Sequence, residues 1–271
     1  MSQRDTLSLV TLNTWNCDGD YPCRIGLMRR ELAALAPDIV ALQEVHIAAD
    51  TEQGTAAALA EALDMDSRVV HARYRLRSLP GGGAPSWSGM AMLSRFPFRR
   101  VIELPLPTHP IDGERLAQLA VIEVEQARLL VINVHLTYLR PEDELRAAQL
   151  ANVLRHPWLA QDYAGIFLCG DFNASLDSPL LPWLRERQGL RVIDCYETVG
   201  APGPRRSTVK GGRDADSSEG RNYDYVFLLE HGASSRVELV SADYVLNRPD
   251  PETGLYPSDH FGLRVRFRLR S

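Results

Sequence analysis

The sequence predicts a mixed α/β fold, and three observations support that prediction. The chain opens with a strand, an amphipathic helix and a second strand. Its middle carries alternating apolar segments that are typical of successive antiparallel strands. Its last strand, residues 261–269, alternates apolar residues with arginines, which indicates one buried and one solvated face. With 271 residues and 45% hydrophobic content, the chain can bury a sizeable core, and we expect one domain over residues 1–271.

The N-terminal strand, helix and strand are defined by their turn residues. Residues 7–12 indicate a strand that stops at the polar turn 13–19. Pro37 ends the following helix, and residues 39–42 form a short apolar strand that stops just before Glu44. The predicted buried positions of that helix recur at helical spacing, namely Ile25, Met28, Leu32 and Leu35. Both strands are therefore followed by polar side chains.

The remaining elements follow from the same patterns. Helices are predicted at about 53–63, from Pro141 onward, and from Pro179 to Gln188. A glycine-rich loop is expected at 78–83, and the polar stretch 200–221 is expected to be a long loop. The predicted strands lie at about 68–74, 89–95, 100–104, 116–124, 129–134, 166–169, 223–229 and 237–244.

Charge and lysine content limit the chemistry. The net charge of −5 and the pI of about 5.8 argue against a protein that coats duplex nucleic acid, because such binding relies on neutralising phosphates. Lys210 is the only lysine, which excludes a P-loop lysine and argues against Schiff-base chemistry. Any phosphate must therefore be bound by arginine, by backbone or by a metal.

Cysteine usage and the N-terminus indicate a cytoplasmic protein. The four cysteines show no C-x-x-C spacing, so we expect reduced thiols and no thiolate zinc site. The N-terminus has no apolar signal-like region, and no stretch approaches the roughly 18 apolar residues of a membrane span. The sequence gives no sign of an obligate protein partner.

Polar side chains recur where the predicted strands end. Each of them alone can be explained as a helix cap, a turn former or a strand-edge charge, but a rigid scaffold can bring them together at one rim. Carboxylates crowded at a rim repel one another unless a cation or a proton compensates them. The group is rich in oxygen and lacks thiolates, so Mg²⁺ or Mn²⁺ suits it, and its histidines supply acid–base chemistry. Its members are Asn13, Glu44, His135, Asp171, Asn173, Asp224, Asp259 and His260.

The ordered motifs that contain these residues resemble those of the endonuclease/exonuclease/phosphatase superfamily, the metal-dependent phosphoesterases similar to deoxyribonuclease I and exonuclease III. The resemblance extends over residues 11 to 262, and the ordered set is far more specific than any single motif. The motifs are T-L-N at 11–13, L-Q-E-V at 42–45, N-V-H-L at 133–136, G-D-F-N at 170–173, D-Y-V-F at 224–227 and S-D-H-F-G at 258–262.

The resemblance implies a four-layered α/β sandwich, with two packed mixed β-sheets flanked by helices, and divalent-metal-dependent cleavage of a phosphate ester. It also implies a role for each motif residue. Glu44 would be the principal metal ligand, with Asn13 and Asp259 near the metal. Asp171 would position or deprotonate the attacking water, and Asn173 would hold a phosphate oxygen. His260, oriented by Asp224, would contact the scissile phosphate, and His135 would be a second imidazole on that phosphate.

Two assignments stay open in the sequence. Residues 14–19, T-W-N-C-D-G, are also similar to the opening motif of the tyrosyl-DNA phosphodiesterase branch, which makes Asn16, together with Asp18, the alternative to Asn13 at the metal. If Asn13 is the asparagine of the metal site, Asn16 is a candidate substrate-binding residue. We favour Asn13 because an uninterrupted strand precedes it. Arg115, at the start of a predicted strand, is a candidate phosphate contact or else a surface arginine.

The expected activity is that of a divalent-metal-dependent phosphodiester hydrolase with nuclease-like chemistry. The alternatives are a phosphomonoesterase, a tyrosyl-DNA-phosphodiesterase-like repair hydrolase, or a catalytically silent binding module on the same fold. The substrate can be DNA, RNA, a lipid or a small phosphoester. Two arginine-rich groups are candidates for recognising its phosphates, namely Arg73, Arg75 and Arg77, and Arg205, Arg206, Lys210 and Arg213.

Overall fold

Two six-stranded mixed β-sheets form the centre of the molecule in the computed structural model, which describes residues 6–51, 53–79, 82–202, 207–209, 221–231 and 235–270. The first sheet contains β1 (Leu7–Asn13), β2 (Ile39–Ala48), β3 (Asp66–Leu79), β4 (Gly82–Ser94), β11 (Val237–Val245) and β12 (Gly262–Leu269), in the order β11-β12-β1-β2-β4-β3. The second contains β5 (Phe98–Pro105), β6 (Leu116–Val124), β7 (Ala127–His135), β8 (Gly165–Asp171), β9 (Leu190–Asp194) and β10 (Asp224–His231), in the order β5-β6-β7-β8-β10-β9.

Helices cover the outer faces of both sheets. They are α1 (Tyr21–Leu35), α2 (Thr55–Leu63), α3 (Asp143–Leu154) and α4 (Leu180–Arg185), with a 3-10 helix at Pro157–Ala160. The short helix α5 (Cys195–Val199) instead packs on the core between the sheets. One apolar core lies between the sheets, where the rings of Phe167 and Phe267 are 4.8 Å apart. A second core packs α1 and α2 on the first sheet, and a third packs α3 and α4 on the second. These three cores separate four layers, which confirms the predicted sandwich.

Helix α1 shows how the sequence sets a boundary. The Asp20 carboxylate accepts a hydrogen bond from Cys23 N at 3.2 Å, and a proline lies in the first turn. The helix ends at Ala36, which adopts a left-handed conformation with φ 45°. Met28 and Leu32 are buried as the spacing predicts, and Arg24, one turn before Met28, is buried with them.

Three segments differ from the sequence predictions. The glycine-rich stretch at 78–83 is not a loop, since β3 and β4 continue into it as a hairpin with Ser78 opposite Gly83; residues 80 and 81 lie outside the described part. Glycines pair in a ladder because pairing uses only backbone groups. Helix α3 begins at Asp143, two residues after Pro141. Strand β9 and helix α5 were not predicted because both are short, and the backbone of β10 completes the pairing of β9.

The alternation in β12 is confirmed. Leu263, Val265 and Phe267 are buried between the sheets, whereas Arg266 and Arg268 are exposed. The solvated face is laced with ion pairs to β11, such as Arg264 with Asp243 at 2.9 Å. Within the described residues, no helix is both long and apolar enough to cross a membrane.

Candidate active site

The two sheets bring their functional strand ends to one edge of the sandwich. In the first sheet, β1 and β2 run parallel and end together, with Asn13 opposite Gln43. In the second, β7 and β8 run parallel and pair His135 with Asp171, and β10 starts beside them with Asp224 opposite Asp171. Parallel neighbours end at the same edge, so residues that are far apart in the chain become neighbours here.

Glu44 owes its orientation to an irregularity in β2. The pairing of β2 with β4 shifts register between Leu42 and Val45, and Glu44 has a φ of 50° within that bulge. Bulges redirect a side chain at the end of a strand, and this one directs the carboxylate to the site. Glu44 Oε2 accepts a hydrogen bond from Asn16 Nδ2, and Oε1 lies 3.8 Å from His135 Nε2.

Asp171 lies at the centre of the site. One of its oxygens accepts a hydrogen bond from Asn13 Nδ2 at 2.9 Å, which joins the two sheets, and the other accepts from the backbone N–H of Asn173 at 2.8 Å. Its Oδ2 is 3.6 Å from His135 Nε2 and 3.9 Å from His260 Nε2. Burial raises the pKa of Asp171 to about 7, against the opposing charge of His260 and with the help of the negative charge of Asp224.

The two imidazoles are held in opposite protonation states. Burial and the nearby cations Arg115 and Arg73 lower the pKa of His135 well below its usual value. Burial also acts to lower the pKa of His260, but the Asp224 carboxylate, 2.9 Å from Nδ1, raises it well above that value. At neutral pH, His135 is therefore neutral and His260 is a cation that carries a proton on Nε2.

The turn after β8 depends on a glycine. Gly170 has a φ of 133°, and a Cβ there would lie 2.0 Å from the carbonyl oxygen of Val134 on β7. Only glycine allows β7 and β8 to approach so closely beside His135 and Asp171. Asn173 follows with a φ of 49°, and its Nδ2 donates to Leu136 O at 3.0 Å, so this side chain is fixed on the rim next to Asp171.

The two asparagines that are candidates for the metal site, Asn13 and Asn16, have different hydrogen-bond partners. Asn13 uses both ends of its amide, since Nδ2 donates to Asp171 and Oδ1 accepts from Trp15 N at 3.0 Å. Asn16 lies beside Glu44, and its buried Oδ1 has no hydrogen-bond partner in the described part of the chain. Asn16, rather than Asn13, therefore offers an uncommitted oxygen next to the carboxylate.

Asp259 lies half-buried on the same side as Glu44. Burial raises the pKa of Asp259; the charges of His260 and Arg24 oppose the shift, and the negative charge of Glu44 adds to it. The preceding Ser258 fixes the turn, because its hydroxyl donates to Asn13 O at 2.7 Å. Two carboxylates that repel each other this way favour a bound cation.

The oxygen atoms on this side fit a hard divalent cation. Mg²⁺ and Mn²⁺ prefer such ligands, namely the Glu44 and Asp259 carboxylates and Asn16 Oδ1, which has no partner among the described residues. Ligand atoms of Asp171, Asp224 and His260 also lie within 4.8 Å of one another. In that second group, His260 Nδ1 is already hydrogen-bonded to Asp224 Oδ2 at 2.9 Å.

Arg115 is buried rather than exposed at the surface. Its guanidinium binds both oxygens of Asp112, with Nε 2.9 Å from Oδ2, and its Nη1 is 3.4 Å from the carbonyl oxygen of His135. It also lies 5.6 Å from the ring centroid of Tyr138, which is exposed. Arg115 thus supports the backbone at His135, and whether it also contacts substrate stays a prediction.

Only the first of the two arginine-rich groups lies within the described residues. Arg73 and Arg77 are bound to carboxylates at the sides of the site, Arg73 to Asp112 at 3.8 Å and Arg77 to Asp18 at 3.0 Å. Arg75 between them is exposed. Four residues of the second group lie outside the described residues, namely Arg205, Arg206, Lys210 and Arg213.

Thr208 and Arg24 also shape the site, and neither was predicted from the sequence. Thr208 packs against the start of β10 and the turn at His260, and no pattern in the sequence marks it. Arg24 is buried on α1 against the turn after β1. A signal for Arg24 existed, because it precedes Met28 and Leu32 at four-residue spacing and so belongs to the buried face of the helix.

The model of the Endonuclease/Exonuclease/phosphatase family matches residues 13–260. No curated protein matches the chain significantly.

Several solved structures share the fold. A D. rerio TDP2 carrying 14 humanizing mutations is 21% identical with a TM-score of 0.76, covering 98% of this chain and 100% of that one. D. rerio TDP2 complexed with a single-strand DNA product is 20% identical with a TM-score of 0.73, covering 98% and 100%. The human Nocturnin catalytic domain with a bound sulfate anion is 20% identical with a TM-score of 0.70, covering 98% and 94%. By the family match over most of its length, the chain belongs to the endonuclease/exonuclease/phosphatase family.

Proposed function

We propose that this protein is a divalent-metal-dependent phosphodiester hydrolase with nuclease-like chemistry, in which water attacks the phosphate in line. The observation that carries the proposal is the position of Asp171. This buried carboxylate is held by Asn13 and by the backbone of Asn173, within 4 Å of two histidines in opposite protonation states. Such a group can accept a proton from water while neighbouring donors stabilise the charge on a phosphate.

Asp171 acts as the general base. A base is most effective when its pKa is close to the working pH, and the pKa of about 7 satisfies that condition. The hydrogen bond from Asn13 orients the carboxylate, so we assign Asn13 to positioning Asp171 and not to holding the metal.

His260 and His135 contact the phosphate in different ways. His260 is fixed through Nδ1 by Asp224, so its Nε2–H points as a charged donor at a phosphate oxygen. His135 is neutral and donates without adding charge beside Arg115. Asn173 lies on the same rim and is the candidate for holding a further phosphate oxygen.

Glu44, Asp259 and Asn16 Oδ1 are the residues that would hold the cation, and their all-oxygen set suits Mg²⁺ or Mn²⁺. When bound, such a cation supplies Lewis-acid stabilisation of negative charge on the phosphate and on the leaving group.

The substrate we favour is a nucleic-acid phosphodiester. The support is the fold shared with a TDP2 that was captured with a single-strand DNA product. The acidic overall charge fits local contacts with a single strand better than coating of a duplex. Cytoplasmic location stays a prediction from the sequence.

A tyrosyl-DNA-phosphodiesterase-like repair hydrolase is the second candidate. The T-W-N-C-D-G stretch favours it, because Asn16 in that stretch donates a hydrogen bond to the Glu44 carboxylate. Three substrates separate the candidates: bis-p-nitrophenyl phosphate, p-nitrophenyl phosphate and a 5′-tyrosyl oligonucleotide. Preference for the first supports a general phosphodiesterase, preference for the second a phosphomonoesterase, and preference for the third the repair activity.

The proposal as a whole is tested with Glu44→Ala. This variant should lose metal-stimulated hydrolysis and keep the fold, because Glu44 lies on the rim and not in a core. The matched control is Glu61→Ala, which removes an exposed carboxylate on α2. Wild-type turnover in Glu44→Ala contradicts the role proposed for Glu44 in metal-dependent hydrolysis. No metal-dependent hydrolysis by the wild type across the three substrates contradicts the proposed activity and favours a silent binding module.

A further inference from the structure

Arg24 is a buried cation with an unusual set of partners. Its side chain lies on α1 with only 2% of the residue exposed. Within the part of the chain that the structure describes, its guanidinium nitrogens donate five hydrogen bonds, all of them to backbone carbonyls. The acceptors are Thr14 O at 3.0 Å, Trp15 O at 3.1 Å, Asn16 O at 3.1 Å, Asp18 O at 2.9 Å and Pro257 O at 3.0 Å.

These carbonyls belong to two segments from opposite ends of the chain. Residues 14–18 form the turn that places the Asn16 amide on Glu44. Pro257 lies two residues before Asp259, and Nη1 of Arg24 bonds to both Thr14 O and Pro257 O. One guanidinium nitrogen therefore ties together the two segments that carry Asn16 and Asp259.

Arginine is chemically suited to this position. Buried carbonyls need donors, and guanidinium offers five N–H groups in one rigid plane, whereas the lysine ammonium offers three. The ring of Trp15 covers the guanidinium at 4.6 Å, which adds a cation–π contact and closes the site of the arginine to solvent.

We propose that Arg24 is a positioning residue that joins the turn at 14–18 to the turn at Pro257 and so preorganises the cation side of the active site. The proposal rests on the proposed function for the cation itself. Arg24 touches neither substrate nor the reacting atoms; it acts through Asn16 and Asp259.

A cation that binds without Arg24 must order both turns itself, so its affinity falls. Groups that hold metal ligands in place typically change metal affinity by about 10- to 100-fold when they are removed. Once the cation saturates the site, both turns are ordered again. The loss should therefore appear in the cation dissociation constant, with KM for substrate and kcat at saturating cation nearly unchanged.

The test compares Arg24→Met and Arg24→Lys with Arg30→Met. Arg30 is on the same helix and pairs with Asp250 at 2.7 Å, so its variant removes an arginine outside the site. Mn²⁺ binding is measured directly from the signal of free Mn²⁺ in electron paramagnetic resonance. We expect the Mn²⁺ dissociation constant to rise about 10- to 100-fold in Arg24→Met, less in Arg24→Lys, and not at all in Arg30→Met.

Hydrogen exchange of the metal-free protein provides a second readout that does not depend on hydrolysis. Peptides covering 14–18 and 257–261 should exchange faster together in Arg24→Met, with β7 and β8 unchanged. If Arg24→Met binds Mn²⁺ with the same affinity as the wild type and its two turns exchange hydrogen at the wild-type rate, the proposal is overturned. Absence of Mn²⁺ binding and of hydrolysis in the wild type refutes the proposed function, and preorganisation of a cation site with it. If Arg24→Met does not fold, the same two readouts on Arg24→Lys decide.

Discussion

At the residue scale, three neighbouring side chains titrate far from their ordinary values. His135 is held neutral by burial and by two arginines, His260 is held charged by Asp224, and burial shifts Asp171 to a pKa of about 7. These differences arise from partners and not from residue type, because the two histidines are chemically identical. In the proposed mechanism, Asp171 is thus the base and His260 the charged donor at the same pH.

Asp224→Asn should lower the pKa of His260. In the wild type the folded-state pKa is raised, so the stability from this pair is fully present below about pH 6.5, the ordinary histidine value, and is lost as pH rises through the raised value. Imidazole NMR should show His260 titrating at lower pH in the variant. The difference in melting temperature between wild type and variant should be larger at pH 6 than at pH 9.

The control for that measurement is Asp243→Asn, which removes a carboxylate paired with Arg264 on the solvated sheet face. It should leave the titration of His260 unchanged. An unchanged His260 pKa in Asp224→Asn would show that Asp224 does not set the charge of the imidazole.

At the element scale, a short segment fixes the Asp224–His260 pair. Residues 207–209 cross from the start of β10 to the turn before β12, with Val209 bridged to His260. Thr208 is buried, and its hydroxyl accepts hydrogen bonds from the backbone N–H groups of Tyr223 at 3.0 Å and Asp224 at 3.4 Å. Its carbonyl accepts from Phe261 N at 2.6 Å. The segment therefore holds together the backbones that carry the carboxylate and the imidazole.

Thr208→Val should weaken both stability and turnover, whereas Thr208→Ser should keep them. Valine has nearly the shape of threonine but leaves two buried N–H groups without an acceptor, which costs about 1–3 kcal/mol. A small displacement of His260 should also lower kcat by about 10- to 100-fold. Denaturant unfolding and steady-state kinetics measure the two effects. Equal kcat in the valine and serine variants would show that the segment does not position the pair.

The close approach of the parallel strands β7 and β8 depends on Gly170. Gly170→Ala places a methyl group against the Val134 carbonyl and forces a non-glycine residue to a φ of 133°. We expect a loss of at least about 1–3 kcal/mol in unfolding free energy and of most activity.

Gly26→Ala is the control, since a methyl group added to Gly26 on helix α1 would meet nothing within 4 Å. It should be neutral or stabilise the fold by up to about 1 kcal/mol. Equal melting temperatures for the two variants would show that the close approach at Gly170 is not required.

At the scale of the whole molecule, the site is built across the seam between the two sheets. Asn13 on β1 binds Asp171 on β8, and Gln43 on β2 binds Asn133 on β7 at 2.7 Å, deep between the sheets. The proposed cation ligands Glu44, Asn16 and Asp259 come together only in the folded chain, so a cation that they hold would stabilise the folded chain relative to the unfolded one.

Mg²⁺ should accordingly raise the melting temperature of the wild type. At one hundred times its dissociation constant, a ligand that binds only the folded state adds about 2.7 kcal/mol, which corresponds to several degrees for a chain of this length. Glu44→Gln should abolish the shift and Glu61→Gln should not. A scanning fluorimetry titration measures it, and an equal shift in both variants would place the stabilising ion elsewhere.

The strand and helix pattern, the order of the motifs and the residue types at the site could be predicted from the sequence. Those features are local, since strand alternation, helix spacing and the polar residues after each strand can all be recognised in short windows. Residues 39–42 and 263–269 are examples, and the structure confirms both as strands.

Which side chains meet could be seen only in the folded chain. Asn13 bonds to Asp171 and Asn16 to Glu44, Arg115 is buried on Asp112, and Arg24 and Thr208 lie among backbone groups from distant parts of the chain. The opposite charge states of two identical imidazoles also arise there. Such contacts depend on burial and on partners that lie as far as 233 residues away in the chain, and neither can be recognised in a local window of sequence.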